Sequence, residues 1–280
     1  MTKQKIHKRI SKKGKPFLAG TPKQTPVKKH TKTIHIQDII IFKRAISPLR
    51  NFKQEITMHT KLASMIITEM CPANVAILDI HIADAIKTNY NELTHINVNI
   101  KQFYNSIKDI KTDKITYIDV EPTKIIIKVH DAATKEKISQ TELPQKDIEN
   151  EVNIDTAVII DSERIQQDTN IISLKSEILK QAIKDLNKQG DTMTITSNEE
   201  GTFLKTKSDQ ENSINIKINK HKQPKKTAKY SLEYLKQVLP ALHKGMSYLQ
   251  WKTDSPLIMR NVEDKYTIRM ILAPIVDNNN

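Results

Sequence analysis

The sequence lacks the residue patterns on which most catalytic, cofactor and metal sites depend. Its one cysteine, Cys71, cannot form an internal disulfide or, by itself, a thiolate metal site, which predicts an intracellular protein without a metal. Its 5 glycines form no Gly-rich phosphate loop and no Gly-x-Ser-x-Gly turn. Its 9 histidines include no His-x-x-x-His pair. We therefore expect no cofactor and no enzymatic activity.

Long apolar runs are also missing. No segment approaches the ~18 apolar residues that a membrane span needs. The basic N-terminus is not followed by the continuous apolar stretch of a secretion signal. These absences predict a soluble protein that is not secreted.

Acidic residues are absent before Asp38, whereas eleven basic residues fall there. The rest of the chain is nearly neutral, with 34 basic against 32 acidic residues, so the net charge of +13 resides mainly in this arm. A segment so rich in charge, proline and glycine buries too little apolar surface to fold, and we expect disorder over residues 1–32. The arm is interpreted as a contact for DNA or a nuclear-import receptor, or equally as a solubility tail.

A short helix followed by a pair of strands recurs four times along the rest of the chain. The predicted helices begin at Asp38, Asn99, Ser173 and Ser231, whose side chains can accept from free N–H groups of a first turn. Pro48 should end or kink the first helix. Behind the other three caps, apolar residues recur at helical spacing and should be buried. They are Ile100, Phe103, Ile107 and Ile110; Leu174, Ile178, Ala182 and Leu186; and Leu232, Leu235, Val238 and Leu242.

The segments between the helices are rich in isoleucine and alternate between apolar and polar residues, which is typical of antiparallel strands. The predicted strands cover residues 56–59, 63–68, 75–82, 96–98, 114–120, 124–129, 192–196, 202–206, 214–218, 248–251, 257–259 and 266–272.

The polar faces of the four helices are mostly cationic. One such face is usually only solvated surface. Four in one repeat series would concentrate positive charge on one side of a sheet scaffold, which favours an anionic partner such as nucleic acid. The cations are Lys43, Arg44, Arg50, Lys53, Lys101, Lys108, Lys180, Lys184, Lys188, Lys236 and Lys244.

The repeats divide into two halves with two helices each. We expect an N-terminal domain over residues 33–142, a connector rich in acids over 143–168, a C-terminal domain over 169–277 and a tail over 278–280. The fold class predicted is α+β, with antiparallel sheets.

Several short motifs resemble those of the PCNA-type DNA sliding clamps (the proliferating cell nuclear antigen family). The segment Tyr230–Leu235 (YSLEYL) resembles the last inner helix of these clamps, and Asp254–Leu257 (DSPL) resembles the hairpin that follows it. Leu272–Ile275 (LAPI) resembles their terminal Leu-Ala-Pro signature. Met70–Val75 (MCPANV) and Ser176–Ile183 (SEILKQAI) resemble their methionine-centred loop and third inner helix.

The resemblance implies a divergent clamp, of viral or cellular origin. Each subunit would hold two similar domains, and three would close head to tail into a homotrimeric ring whose inner helices meet double-stranded DNA. The clamp would serve as a processivity factor in DNA replication and repair, with a DNA polymerase, other proteins that carry a clamp-binding peptide, and a clamp loader as partners. It would act in the nucleus or a viral replication compartment, or in the cytoplasm of a prokaryote.

The resemblance also implies a hydrophobic pocket in which a partner's peptide binds beneath the connector. Taken singly, each apolar residue of this set would be ordinary core. The matching positions are Met70, Ile148, Val152, Ile154, Pro256, Ile271, Ala273 and Pro274.

Two alternatives remain open. A monomeric or dimeric processivity factor would hold DNA by charge without closing a ring, which suits the neutral body and basic arm. A checkpoint-clamp subunit would fail to assemble by itself.

Overall fold

The structure, a computed structural model, describes residues 31–146, 169–207 and 213–276. The helices are α1 (Ile39–Ile46), α2 (Leu49–Phe52), α3 (Ile100–Ile107), α4 (Ser176–Leu186) and α5 (Leu232–Gln237). The strands of the first half are β1 (Lys32–Ile36), β2 (Glu55–Lys61), β3 (Ser64–Met70), β4 (Ala76–Ala83), β5 (Ile86–Thr88), β6 (Thr94–Asn99), β7 (Lys114–Val120), β8 (Lys124–Asp131) and β9 (Lys137–Pro144). Those of the second half are β10 (Asn170–Lys175), β11 (Thr192–Asn198), β12 (Gly201–Lys207), β13 (Ser213–Asn219), β14 (Lys226–Ser231), β15 (Met246–Trp251), β16 (Leu257–Glu263) and β17 (Tyr266–Leu272).

The strands form three sheets, in which every described pairing is antiparallel, as the alternating pattern predicts. The first half contributes a five-stranded sheet in the order β5-β1-β7-β8-β9, and the second half a four-stranded sheet in the order β13-β12-β11-β14. The eight-stranded sheet between them has the order β10-β15-β16-β17-β4-β3-β2-β6. Since β17 pairs with β4 from Tyr266↔Ile82 to Leu272↔Ala76, both halves share this sheet.

The helices begin and end where local chemistry requires. The Asp38 carboxylate accepts from the Ile41 N–H at 3.0 Å and the Asn99 side chain accepts from the Gln102 N–H at 3.1 Å, so both predicted caps are confirmed. Pro48 has no N–H to donate, and it separates α1 from α2.

The predicted start of the third helix at Ser173 is wrong. Residues 170–175 alternate between buried and exposed and pair with β15, so Ser173 and Leu174 belong to β10. The helix begins at Ser176, whose hydroxyl donates to the Asn261 side chain at 2.5 Å. The cap position is Lys175, two residues after the predicted one; Ile178 is 50% exposed, and the buried apolar residues of the helix are Leu179, Ala182, Ile183 and Leu186.

The fourth helix is shorter than its apolar spacing suggests. It ends at Gln237, and turns carry Val238 and Leu242 back into the core. Ser231 holds the cap position, but its side chain makes no capping hydrogen bond. The four apolar residues predicted to be buried on this segment are all buried, as are those predicted on the second helix. Among the described residues, no helix is long and apolar enough to span a membrane.

Candidate nucleic-acid interface

The helices form a layer on one side of the sheets. Helix α1 packs against β4 and β17 of the shared sheet, and α4 packs against β10 and β15 of that sheet as well as β12 and β13. Neighbouring helices also touch, with α3 against α1 and α2, α2 against α5, and α5 against α4. The layer is therefore continuous across both halves, and it places all eleven predicted cations on helices or on the turns that follow them.

Lys43 ties the two helices of the first half together. Its ammonium donates to the backbone carbonyls of Lys108 and Ile110, at 2.9 and 2.8 Å, just beyond the end of α3. A cation is favourable at this end of a helix because the last carbonyls lack partners within the helix. Two of the three N–H groups of Lys43 are thus engaged inside the protein.

Lys180 makes the corresponding contact between helical segments in the second half. Its ammonium donates to the Leu242 carbonyl at 2.8 Å, in the turns beyond α5. Burial, followed by the nearby positive charges of Lys184 and Arg44, lowers the pKa of Lys180. Burial is the larger cause, and the contribution of Arg44 shows that cations of α1 and α4 lie close together although they are far apart in the sequence.

Arg50, within α2, and Lys53, which follows that helix, have different surroundings. The Arg50 guanidinium lies over the face of Tyr104 on α3, 4.3 Å from the ring centroid, and its side chain stays exposed. The Lys53 ammonium lies 2.6 Å from the carboxylate of Glu69, a buried residue that also accepts from the Thr57 N–H. Lys53 is therefore neutralised by a carboxylate, whereas Arg50 presents its charge to solvent.

Six further cations are exposed on the layer. Acids are few in the same segments, and two of them, Glu177 and Glu233, lie in first helical turns where a negative charge is favourable. Lys188 pairs with Asp185 at 2.7 Å on the surface, a contact of little energetic weight. The exposed cations are Lys101, Lys108, Lys184, Lys188, Lys236 and Lys244.

The predicted peptide pocket falls on the other face of the shared sheet. Met70, Ile77, Ile271 and Ile258 are partners across β3, β4, β17 and β16, so they form one row. Ile77 is 9% exposed and the other three are half-buried. Ile77 and Ile258 were missed by the sequence-based prediction, although the alternation within their strands places them on this face.

The remaining pocket positions lie at the same end of the sheet. Pro256 precedes β16, and Ala273 and Pro274 follow β17, next to the paired residues Leu257 and Leu272. The segment that follows β17 is held by two backbone hydrogen bonds. The Ala273 N–H donates to the Val75 carbonyl at 2.8 Å, and the Ile275 N–H donates to the Lys229 carbonyl at 2.7 Å. The structure thus brings five of the eight predicted positions together. Ile148, Val152 and Ile154 lie outside the described residues.

No group of three or more His, Cys, Asp or Glu side chains among the described residues is arranged to hold a metal ion.

Comparison with known proteins supports one fold. The PCNA of Thermococcus kodakaraensis matches with a TM-score of 0.72 at 16% identity, over 88% of this chain and 100% of that one. The PCNA of Entamoeba histolytica matches with a TM-score of 0.73 at 20% identity, over 88% of this chain and 99% of that one. No family model matches the sequence, and no curated protein matches it. The chain therefore has the fold of the PCNA-type DNA sliding clamps, in a form that has diverged far in sequence.

Proposed function

We propose that this chain is a non-enzymatic sliding clamp, which encircles duplex DNA and tethers a DNA polymerase and other replication or repair proteins to it. The observation that carries the proposal is the continuous helix layer, on which seven cations (Arg50 and the six exposed lysines) face solvent. Such charges meet phosphates without reading base sequence, and their contacts weaken with salt. Both properties suit a protein that must move along DNA.

Ring closure is supported by two open sheet edges. Strand β9 is the last strand of the five-stranded sheet, and β13 is the last strand of the four-stranded sheet. They are the longest outer strands in the described parts of the chain, with 8 and 7 residues. An exposed edge of this length is a template for another strand. Pairing β9 of one subunit with β13 of the next joins different surfaces, which closes into a ring if the rotation fits.

Partners would dock on the row of Met70, Ile77, Ile271 and Ile258. An extended peptide adds backbone hydrogen bonds at such a place while its apolar side chains fill the pocket. Clamp-binding peptides of polymerases, and a loader that opens the ring, are the partners proposed.

Linear duplex DNA with free ends, compared with the same DNA blocked at both ends, tests the proposal. A ring without a loader reaches DNA only by threading over an end, so blocking the ends should abolish stable association. A factor that binds by charge alone would bind both DNAs equally, and this result would refute encirclement.

Light scattering over a range of protein concentrations and at low and physiological salt supplies the stoichiometry. A plateau at three times the chain mass of 32.2 kDa is expected. A persistent mass of one or two chains would exclude a ring made by this protein alone. That result is expected of a monomeric or dimeric processivity factor that binds DNA by charge, and a mass of one chain is also expected of a checkpoint-clamp subunit.

A further inference from the structure

The outward faces of the five-stranded and four-stranded sheets differ in charge, although they occupy corresponding places in the two halves. On the five-stranded sheet, two lysines are neutralised by carboxylates of neighbouring strands. The Lys128 ammonium lies 2.6 Å from Asp119, and that of Lys124 lies 2.7 Å from Glu142. Carboxylates therefore compensate part of the positive charge on this face, which also carries the exposed Lys87 of β5.

The four strands of the other sheet contain no aspartate or glutamate. Their inward residues, among them Ile195 and Leu204, are buried on the side where α4 packs. Their outward face presents Phe203, with Lys205 two residues along β12 and Lys217 directly across on β13. Both lysines are exposed, and no described carboxylate forms an ion pair with either.

The two lysines flank a single aromatic ring. The Lys205 and Lys217 ammonium groups lie 5.8 and 5.5 Å from the centroid of the Phe203 ring, within the range of a cation–π contact. On the other side, Thr196 of β11 is the cross-strand partner of Phe203, and its hydroxyl oxygen lies 3.5 Å from that of Thr227 on β14. The surface thus combines an aromatic ring, two cations and neutral hydroxyl groups, with no repelling acid on the sheet itself.

We propose that this outer face binds single-stranded nucleic acid, with the ammonium groups of Lys205 and Lys217 turning from the ring to phosphates and a base stacking on the face of Phe203 that they leave. Cations that follow a backbone, together with an aromatic ring on which any base can stack, are the shared chemistry of sequence-tolerant single-strand binding. An acidic peptide would satisfy the lysines but would leave the ring unused, so the arrangement favours a nucleic acid. The site lies outside the helix layer and does not depend on ring closure.

Fluorescence anisotropy of the full chain with a labelled oligothymidylate tests this site. The Lys205→Ala/Lys217→Ala variant should bind more weakly, and the slope of log K against log salt should fall by about 1.4, because two single-strand phosphate contacts are lost. Phe203→Leu should weaken binding about fivefold or more without changing that slope, because stacking is not ionic. Phe203→Tyr should bind as the unaltered chain does.

Matched controls separate this site from other sources of charge. Lys124→Ala/Lys128→Ala on the five-stranded sheet removes the same number of lysines and should leave affinity unchanged. An abasic oligonucleotide should bind the unaltered chain about as weakly as oligothymidylate binds Phe203→Leu. All of these proteins carry the same basic arm, so it cannot account for a difference between them.

Three results would overturn the site. One is unchanged affinity for oligothymidylate in both outer-face variants, Lys205→Ala/Lys217→Ala and Phe203→Leu. Another is loss of single-strand binding in Lys184→Ala/Lys236→Ala while the outer-face variants bind normally. This result would assign the oligonucleotide to the helix layer, and the proposed clamp function would still stand. The third is displacement by poly-glutamate from the unaltered chain and from Phe203→Leu alike, which would make the face a docking surface for acidic peptides.

Discussion

Lys43 and Lys180 make the same contact in the two halves of the chain. Each is the fifth residue of its helix, and each donates from its ammonium to a backbone carbonyl 2.8 Å away, that of Ile110 or Leu242. The repeat in the sequence therefore extends to individual hydrogen bonds. Two of the cations expected to face DNA serve first to hold neighbouring helices together.

Replacing Lys180 should cost stability. Lys180→Met keeps the apolar stem but removes the hydrogen bond to the Leu242 carbonyl, and the free energy of unfolding should fall by about 1–2 kcal/mol. Urea unfolding followed by circular dichroism measures it. Lys184→Met, one turn along α4 and exposed, is the control and should change stability by less than about 0.5 kcal/mol. Equal losses in the two variants would show that the hydrogen bond contributes nothing.

Removing exposed cations of the helix layer should weaken duplex binding. For Lys101→Ala/Lys184→Ala/Lys236→Ala, the slope of log K against log salt on free-ended duplex DNA should fall by up to about 2.7, since each lost phosphate contact accounts for about 0.9. Lys124→Ala/Lys128→Ala should leave the slope unchanged. If the control lowers the slope as much per lysine, the helix layer has no special part in duplex binding.

A charge on the open edge of β9 should block assembly. Ile138 is an apolar residue on this strand that is 53% exposed, and Ile138→Asp should shift the native mass from three chains to one, because a carboxylate would be buried at the interface. Leu93 has the same exposed fraction but lies in the turn before β6. Leu93→Asp should therefore assemble normally, and light scattering compares the two. Normal assembly of Ile138→Asp would place the interface elsewhere.

A negative charge in the apolar row of Met70, Ile77, Ile271 and Ile258 should block the binding of a partner's peptide. Ile271→Asp places a carboxylate between Ile77 and Ile258 and should abolish the heat of binding of a clamp-binding peptide in calorimetry, while the native mass stays the same. Ile66→Asp, on the same face of the shared sheet and 44% exposed, is the control and should bind the peptide normally. Unchanged affinity in Ile271→Asp would move the pocket to another part of the surface.

The carboxyl group of Asp131 makes the stability of the fold depend on pH in the acid range. Its carboxylate accepts from Lys114 at 2.8 Å and from the N–H groups of Ala133 and Thr134, which together lower its pKa from 3.8 to about 2. A carboxyl group with a lowered pKa stabilises the fold above its ordinary pKa, and this contribution is lost as the pH falls through the folded value. Asp131→Asn should melt below the unaltered chain at pH 7, and the gap should close between about pH 4 and pH 2 in thermal unfolding. A gap that stays constant over this range would contradict the pKa assignment.

Strands with strict alternation were predictable to the residue. Both ends of β17 agree with the prediction, because every second side chain of this strand enters the core. Both ends of β7 agree as well, although its burial is less regular, since Ile118 and Asp119 are both buried. The caps Asp38 and Asn99 were predictable too, because a cap depends only on residues within one turn.

Other features depended on distant parts of the chain. Helix α4 begins at Ser176 because residues 170–175 pair with β15, more than 70 residues later, and no local signal distinguishes Ser176 from Ser173 as a start. The hydrogen bonds of Lys43 and Lys180 to backbone carbonyls could not be predicted either, since their acceptors lie 67 and 62 residues away in the sequence. The cations themselves could be listed from the sequence pattern. Which of them bond to groups inside the protein and which are exposed to solvent depends on the fold.

The pairing of β4 with β17 has a consequence for biosynthesis. Strand β4 ends at Ala83, but its partner β17 (Tyr266–Leu272) is made only after the intervening residues 84–265. While the ribosome is still at work, β4 has β3 on one side and an open edge on the other, in a sheet whose strands are rich in isoleucine. Pairing at such long sequence separation is slow, and an unpaired edge invites contact between nascent chains. The first half of this protein therefore completes its sheet only after β17 has been made, and until then it needs dilution or a chaperone more than the second half does.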